Sequence, residues 1–211
     1  MKIISFTYPE SFELAANTYL IIDSSNQCLL VDIGKDDERI VRYINDNKLQ
    51  LKGILLTHGH FDHIRGVDYI LSQFDVPVYL HEQDKELLTN PHLNGSDRFS
   101  RKDIIIDALT ENIKDGSAIK LLDEPIKVIH TPFHTQGSVC FYLEKERVLF
   151  SGDSLFLGSI GRSDFITSNP KLIPSSLAKL MSLNDDVKVY SGHGLETTIG
   201  DERKQNPFVK I

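Results

Sequence analysis

Four apolar runs in this chain end in side chains that bind metals: "GILLTHGHFDH", "IKVIHTPFHT", "RVLFSGD" and "VKVYSGHG". Buried strands tend to finish at a common edge of a sheet, so residues just beyond them can converge although they are remote in sequence. A fold for this chain must bring those four ends together. The polar residues that follow the runs are His58, His60, Asp62, His63, His134, Asp153 and His193, with His130 in reserve. The first run is the densest, with three of the chain's eight histidines and one aspartate between His58 and His63. A protein surface gains nothing from such a cluster, which leaves a metal site, a proton relay or coincidence.

The spacing discriminates further. Residues two apart in an extended segment point the same way, so His58 and His60 can hold one ion together. Asp62 and His63 are adjacent and diverge, unless the chain turns there into a following helix and lets them face a second ion nearby. Imidazole and carboxylate suit zinc and can also hold iron or manganese. The absence of cysteine from the cluster argues against a purely structural zinc site. Taken alone, Asp153 in "SGDS" has a turn or cap as its competing reading, and His193 in "SGHG" is balanced between a ligand and a structural histidine. Their shared position after apolar runs is what joins them to the cluster. His81, opening a helix, and His92, in a loop, are read as structural, and His130 as a neighbour of the site.

The runs between these ligands alternate strand and helix. "IISFTY", "NTYLIID" and "QCLLVDIG" read as short strands in an antiparallel start. "DDERIVRYINDNK", with Ile40, Val41 and Ile44, reads as an exposed amphipathic helix, and "LKGILLTH" as a buried strand. "GVDYILSQFD" continues as a helix and "VPVYLHEQDKELL" as a strand passing into a helix. Residues 88 to 103 are polar and are expected to form an irregular loop or lid. Strands return from residue 117 in "AIKLL", "IKVIHT" and "SVCFYLEKERVLFSGD". "NPKLIPSSLAKLMSL" supplies a helix and "VKVYSGHG" a last strand and turn. Two strand-rich halves, each followed by helices, fit a layered α/β domain of two mixed sheets face to face with helices outside. Nothing marks a boundary, so residues 1–211 are expected to form a single domain.

Composition narrows the function. A net charge of −7 disfavours nucleic acid, whose phosphates call for basic patches. No Lys/Arg run points to a membrane surface, and no run approaches the roughly 20 apolar residues of a spanning helix. The start "MKIISFTYPE" is too short in apolar residues for a secretory signal. Cys28 and Cys140 sit inside strand-like runs and read as buried thiols of a reducing compartment, with the cytoplasm as the expected location.

The motif "HGHFDH", followed in order by "HTPFHTQGS", "FSGDSLF" and "SGHG", resembles the signature of the metallo-β-lactamase superfamily, from about Val31 to Phe208. Within it, "GDSLFLGSIGRSDF" and "GHGLETTIGDERKQNPF" resemble the glyoxalase II-like branch, the hydroxyacylglutathione hydrolases and their short bacterial relatives. The resemblance implies a four-layer αββα sandwich and two divalent metal ions, zinc first, with iron or manganese as substitutes. It implies that His58, His60 and His134 hold the first ion, that Asp62, His63 and His193 hold the second, and that Asp153 bridges them. Departures exist. Phe133 stands where the family usually has glycine, and Arg65 replaces a common small residue. The chain also stops before the C-terminal helical segment with which larger glyoxalase II enzymes grip glutathione. Arg162 matches a basic glutathione-binding position, whereas Asp164 and Leu195 stand where those enzymes use tyrosines.

The implied activity is metal-dependent hydrolysis, most of all of a thioester, by a hydroxide bridging two ions, with Asp62 orienting it and accepting its proton. The expected substrate is a small anionic thioester bound by Arg162, and the expected assembly a monomer or homodimer. Neither nucleic acid nor membrane is an expected partner. The alternatives are a mononuclear iron persulfide dioxygenase, a lactonase, or a non-catalytic metal-binding module. Ser159 and Ile160 stand where the dioxygenases tend to carry a cysteine-containing loop, which favours the hydrolase.

Overall fold

The structure, a computed structural model, describes residues 1–8 and 14–209. The first sheet runs β1 (Lys2–Phe6), β2 (Thr18–Ile22), β3 (Gln27–Val31), β4 (Gln50–Leu55), β5 (Val78–His81) and β6 (Thr110–Ile113) in that spatial order. Its first three strands are antiparallel and its last three join in parallel. The second sheet is built from β7 (Ala118–Ile119), β8 (Ile126–His130), β9 (Val139–Leu143), β10 (Val148–Gly152), β11 (Lys188–Ser191) and β12 (Thr197–Thr198). All its pairs are antiparallel except β10 with β11.

Strand side chains alternate between faces, and here both faces are apolar. In β2 and β3, Leu20, Ile22, Cys28 and Leu30 point to one core, while Tyr19, Ile21, Leu29 and Val31 point to another. In β9, Val139, Phe141 and Leu143 meet that second core, while Cys140 and Tyr142 turn to a third. The middle core is therefore the contact between the two sheets, and each outer core needs a cover. Helices α1 (Glu38–Asp46), α2 (Phe61–Ile64) and α3 (Val67–Leu71) cover the first sheet with Ile40, Ile44, Phe61, Ile64, Val67 and Ile70. After the short helices α4 (Pro91–Asn94) and α5 (Ser96–Phe99), α6 (Ile173–Met181) and α7 (Ile199–Gln205) cover the second sheet with Leu177, Leu180 and Ile199. Helices of nine residues or fewer are marginal alone in water, so burial of these side chains, at about 1.5–3 kcal/mol each, is what holds them. Four layers in the order αββα result, as expected.

Three local differences from the sequence expectation have physical causes. The segment after β5 is a 3₁₀ turn, Glu82–Leu88, rather than an α-helix. Side chains three apart eclipse in that geometry, and Asp84 and Leu87 are both buried. Residues 88 to 103 are ordered rather than irregular, because their polar groups are used internally. Asn90 caps α4 ahead of Pro91, and Gly95 takes φ +81 between the two helices. Buried Asn94 donates to the carbonyls of Leu87 and Ile104, and Ser96 accepts from the Ile104 amide. Strand β6 escaped notice because only Ile113 of "TENI" is buried, and backbone pairing with β5 alone defines it. Cys28 and Cys140 are unpaired and buried. Among the described residues no helix is long and apolar enough to cross a membrane.

Candidate metal centre

The sequence runs through Leu56 and Thr57 out of β4, stays extended through His60 (φ −69, ψ 147), and enters α2 at Phe61. His58 and His60 thus project together from extended chain, their ring centroids 4.9 Å apart. The first turn of α2 then swings Asp62 and His63 to the same side, as the spacing requires. From the second sheet come His134, beyond β8, Asp153, directly after β10, and His193, just after β11. All seven candidates meet.

They meet as three overlapping trios whose ligand atoms lie within 4.8 Å of one another: His58, His60 and His134; His58, His63 and Asp153; Asp62, His63 and His193. Asp153 stands between the outer two. Its Oδ1 lies 3.1 Å from His63 Nε2 and 3.8 Å from His193 Nε2, and its Oδ2 lies 3.4 Å from His134 Nε2. His63 Nε2, Asp153 Oδ1 and His58 Nε2 are all buried without a hydrogen-bond partner. Orphaned buried polar atoms are costly. Several gathered within one small volume are what a cation between them would satisfy. The donor set, nitrogen and carboxylate oxygen without sulfur, fits a divalent ion of the zinc, iron or manganese kind.

The outward faces of the rings are fixed by partners. His63 Nδ1 lies 2.8 Å from Asp32 Oδ2, and Asp32 also accepts from the Thr57 amide and hydroxyl, each at 2.8 Å. His58 Nδ1 is 3.1 Å from Thr57 Oγ1, and His134 Nδ1 donates to the Arg162 carbonyl at 2.7 Å. Such partners set the tautomer and leave the inner nitrogens of His58 and His63 free to bind, while His134 Nε2 lies 2.9 Å from His60 Nδ1. Backbone approach matters too. A Cβ on Gly192 would stand 2.4 Å from Asp153 Oδ1 and 2.6 Å from His63 Cε1, so the turn before His193 must be glycine.

Charge follows the same geometry. Burial, reinforced by the surrounding rings, holds the His58 imidazole well below its ordinary range, and burial with His134 pushes His60 down to about 3. Burial also opposes charge on His63, but the Asp153 and Asp32 carboxylates outweigh it and raise His63 well above its ordinary value. Asp153 is the converse case. Burial favours its neutral form, and the charges of His63 and His193 overcome that to hold it well below the carboxylate range.

The centre opens into a cleft of about 640 Å³, walled by Tyr8, Leu14, Phe99, Phe156, Phe165 and Arg162. Arg162 is exposed at its edge, forked onto Asp164 at 2.7 and 2.8 Å, with its guanidinium 4.4 Å from the Phe165 ring centre. His130 does not join the site. It stacks on His81 at 4.2 Å and its Nε2 donates to the Gln136 carbonyl. His81 caps the 3₁₀ turn, and His92 pairs with Asp97. Sequence reasoning missed Asp32, although "CLLVDIG" is a further apolar run ending in a carboxylate. It also missed the aromatic walls, which carry no motif.

Residues 12–193 match the family model of the metallo-beta-lactamase superfamily. Over 93% of both chains, the sequence is 37% identical to "Probable metallo-hydrolase YqgX" of Bacillus subtilis. It is 34% identical to "Hydroxyacylglutathione hydrolase GloC" of Haemophilus influenzae, over 92% of both. Among solved structures it resembles the BLEG-1 B3 metallo-beta-lactamase, with TM-score 0.92, 35% identity and all of both chains covered. It also resembles TTHA1623 in a di-iron-bound form, with TM-score 0.86, 33% identity and coverage of 97% and 99%.

Proposed function

The chain belongs to the metallo-beta-lactamase superfamily, and we propose that within it the protein is a binuclear hydrolase of a small anionic thioester. In this reading His58, His60 and His134 would hold one divalent ion, Asp62, His63 and His193 would hold the other, and Asp153 would serve both. The observation that carries it is the division of Asp153, with Oδ1 toward His63 and His193 and Oδ2 toward His134. The di-iron form of the similar TTHA1623 supports two ions, and the hydroxyacylglutathione hydrolase among the relatives supports the thioester. The unpaired cysteines support a cytoplasmic location, and a monomer or homodimer built on one domain is the corresponding assembly.

When bound, two such ions supply a nucleophile from water at neutral pH and polarise the scissile carbonyl. The protein's own groups do the rest. Asp62, its Oδ2 held 3.0 Å from His193 Nε2, orients the attacking water and receives its proton at the carboxylate. Phe99, Phe156 and Phe165 exclude bulk water from the cleft, and Arg162 contacts the acid group of the thiol carrier through the donors Asp164 leaves free. A departing thiolate, with a parent pKa of about 8.5, needs no dedicated acid.

The test combines metal analysis with turnover on a panel of thioesters, lactones and a β-lactam. Two ions per chain with preference for anionic thioesters is the expected result. Saturation at one iron, with oxygen consumed in the presence of a persulfide, would replace the reading by a mononuclear dioxygenase. Full metal loading without turnover on any panel member would leave only a metal-binding module.

A further inference from the structure

Asp84 is fully buried, yet none of the roles above uses it. It sits in the 3₁₀ turn after β5, on the first sheet's side of the molecule. Its Oδ2 accepts from the Gly59 amide at 3.0 Å and from the Thr135 hydroxyl at 2.6 Å, and its Oδ1 accepts from the Gly137 amide at 2.6 Å. Gly59 is the residue between His58 and His60, while Thr135 and Gly137 belong to the loop that begins at His134. Close approach is built in, because a Cβ on Gly137 would lie 2.6 Å from Asp84 Oδ1. Among the described residues Asp84 has no ion-pair partner.

Resting on the two-ion reading, we propose that Asp84 is a positioning residue for the first ion. Its carboxylate ties the turn that carries His58 and His60 to the loop that carries His134, and so sets the spacing of three ligands drawn from opposite sheets. Three neutral donors converge on it, two on Oδ2 and one on Oδ1, and an ionised carboxylate accepts from all three without a proton of its own to place. That ionised state is held against resistance, since burial pushes the Asp84 carboxyl up to about 6. A carboxylate placed where burial opposes its charge is a poor device for stability alone. Its geometry serves the ligands. The Asp62, His63 and His193 trio takes no ligand from the loops Asp84 grips except through the α2 turn, and Asp62 and His63 are set by α2 and by Asp32 instead.

The experiment titrates zinc into metal-free protein against a chromophoric chelator. Asp84→Asn keeps the shape but turns an amide NH₂ toward one set of donors, and Thr135→Val removes a single donor. Each is placed in a His193→Ala background, which leaves the first trio, and in a His60→Ala background, which leaves the second. Loss of such a supporting partner typically weakens metal affinity about ten- to a hundredfold. That loss is expected for Asp84→Asn in the His193→Ala background, with a smaller loss for Thr135→Val and no change in the His60→Ala background. Circular dichroism and thermal unfolding of metal-free Asp84→Asn should stay near wild type, because removing a buried charge offsets the donors that the amide leaves unmet. Unchanged affinity at the first trio overturns the proposal, as does an equal loss in both backgrounds with a lowered Tm, which makes Asp84 a residue of the fold. Wild-type protein that takes up no zinc removes the two-ion reading, and this inference with it.

Discussion

Asp32 offers the sharpest perturbation of the centre, because one atom serves two donors. Its Oδ2 faces both the Thr57 hydroxyl and His63 Nδ1, while Oδ1 holds the Thr57 amide. Asp32→Asn must choose. If the amide oxygen keeps the Thr57 amide, the NH₂ group faces His63 Nδ1, which can only accept by moving its proton to Nε2. That is the nitrogen aimed at the ions, and a protonated nitrogen cannot bind one. If the amide flips, its NH₂ meets the Thr57 N–H, a buried donor is stranded, and stability falls by about 1–3 kcal/mol. In the first arrangement metal affinity at the Asp62, His63 and His193 trio should drop about ten- to a hundredfold, or roughly 1.4–2.8 kcal/mol. In the second the oxygen still accepts from His63 Nδ1, and the loss falls on stability. Asp32→Ala is the blunter variant. It strands three donors and places a residue with a Cβ but no polar group at φ +51, a conformation Asn and Asp tolerate better. The assay is chelator competition for the second equivalent of zinc, with nitrogen NMR of the histidine rings to read the tautomer. Asp32→Asn protein that retains the second ion at wild-type affinity and keeps wild-type stability, with Nε2 of His63 unprotonated, would refute the reasoning.

Three further outcomes are expected. Asp153→Ala should abolish turnover and weaken retention of both ions while the metal-free protein keeps its circular dichroism spectrum, and normal activity with full loading would remove Asp153 from the centre. Arg162→Ala should raise KM for anionic thioesters by about tenfold and leave kcat and neutral thioesters nearly unchanged, a modest figure because the guanidinium is exposed and already forked to Asp164. Equal losses on charged and neutral substrates would assign it a structural role. In metal-free protein the Asp84 carboxyl, at about 6 against an ordinary 3.8, keeps its proton longer in the folded state. Its contribution to stability is therefore greatest below about pH 4 and is lost, by about 3 kcal/mol, as pH rises through 6. Buried His58 and His60, held below their ordinary range, add stability as pH rises over the same interval, so the difference in chemical denaturation between wild type and Asp84→Asn is what should carry the Asp84 slope.

The ligand cluster was legible because strand ends in this fold announce themselves. An apolar run followed at once by His or Asp has few other uses, and "HGHFDH", "PFHT", "SGD" and "SGHG" all obey that rule. Asp32 obeys it as well and was passed over, since "VDIG" carries one carboxylate and no histidine. Asp84 could not be read at all. In "HEQDKELL" it stands among charges, and nothing local distinguishes a carboxylate turned inward from one on a solvated face. The order of residues 88 to 103 was hidden for a related reason, because Asn94 and Ser96 look like loop residues until the carbonyl and amide they satisfy are known. The layers were readable from paired apolar faces in β2, β3 and β9, whereas β6 and α7 bury too few side chains to leave a period.

Each proposed ion draws ligands from both sheets. His58, His60, Asp62 and His63 leave the first, whereas His134, Asp153 and His193 leave the second. The cations would then lie on the seam between two halves of the chain, as rivets through two plates. Their occupancy sets how firmly the plates are joined, and a hundredfold excess of free metal over Kd adds about 2.7 kcal/mol to that join for each ion. Metal supply would thus govern the mechanical coherence of the molecule as well as its chemistry, and starvation would loosen the cleft along the line where the substrate enters.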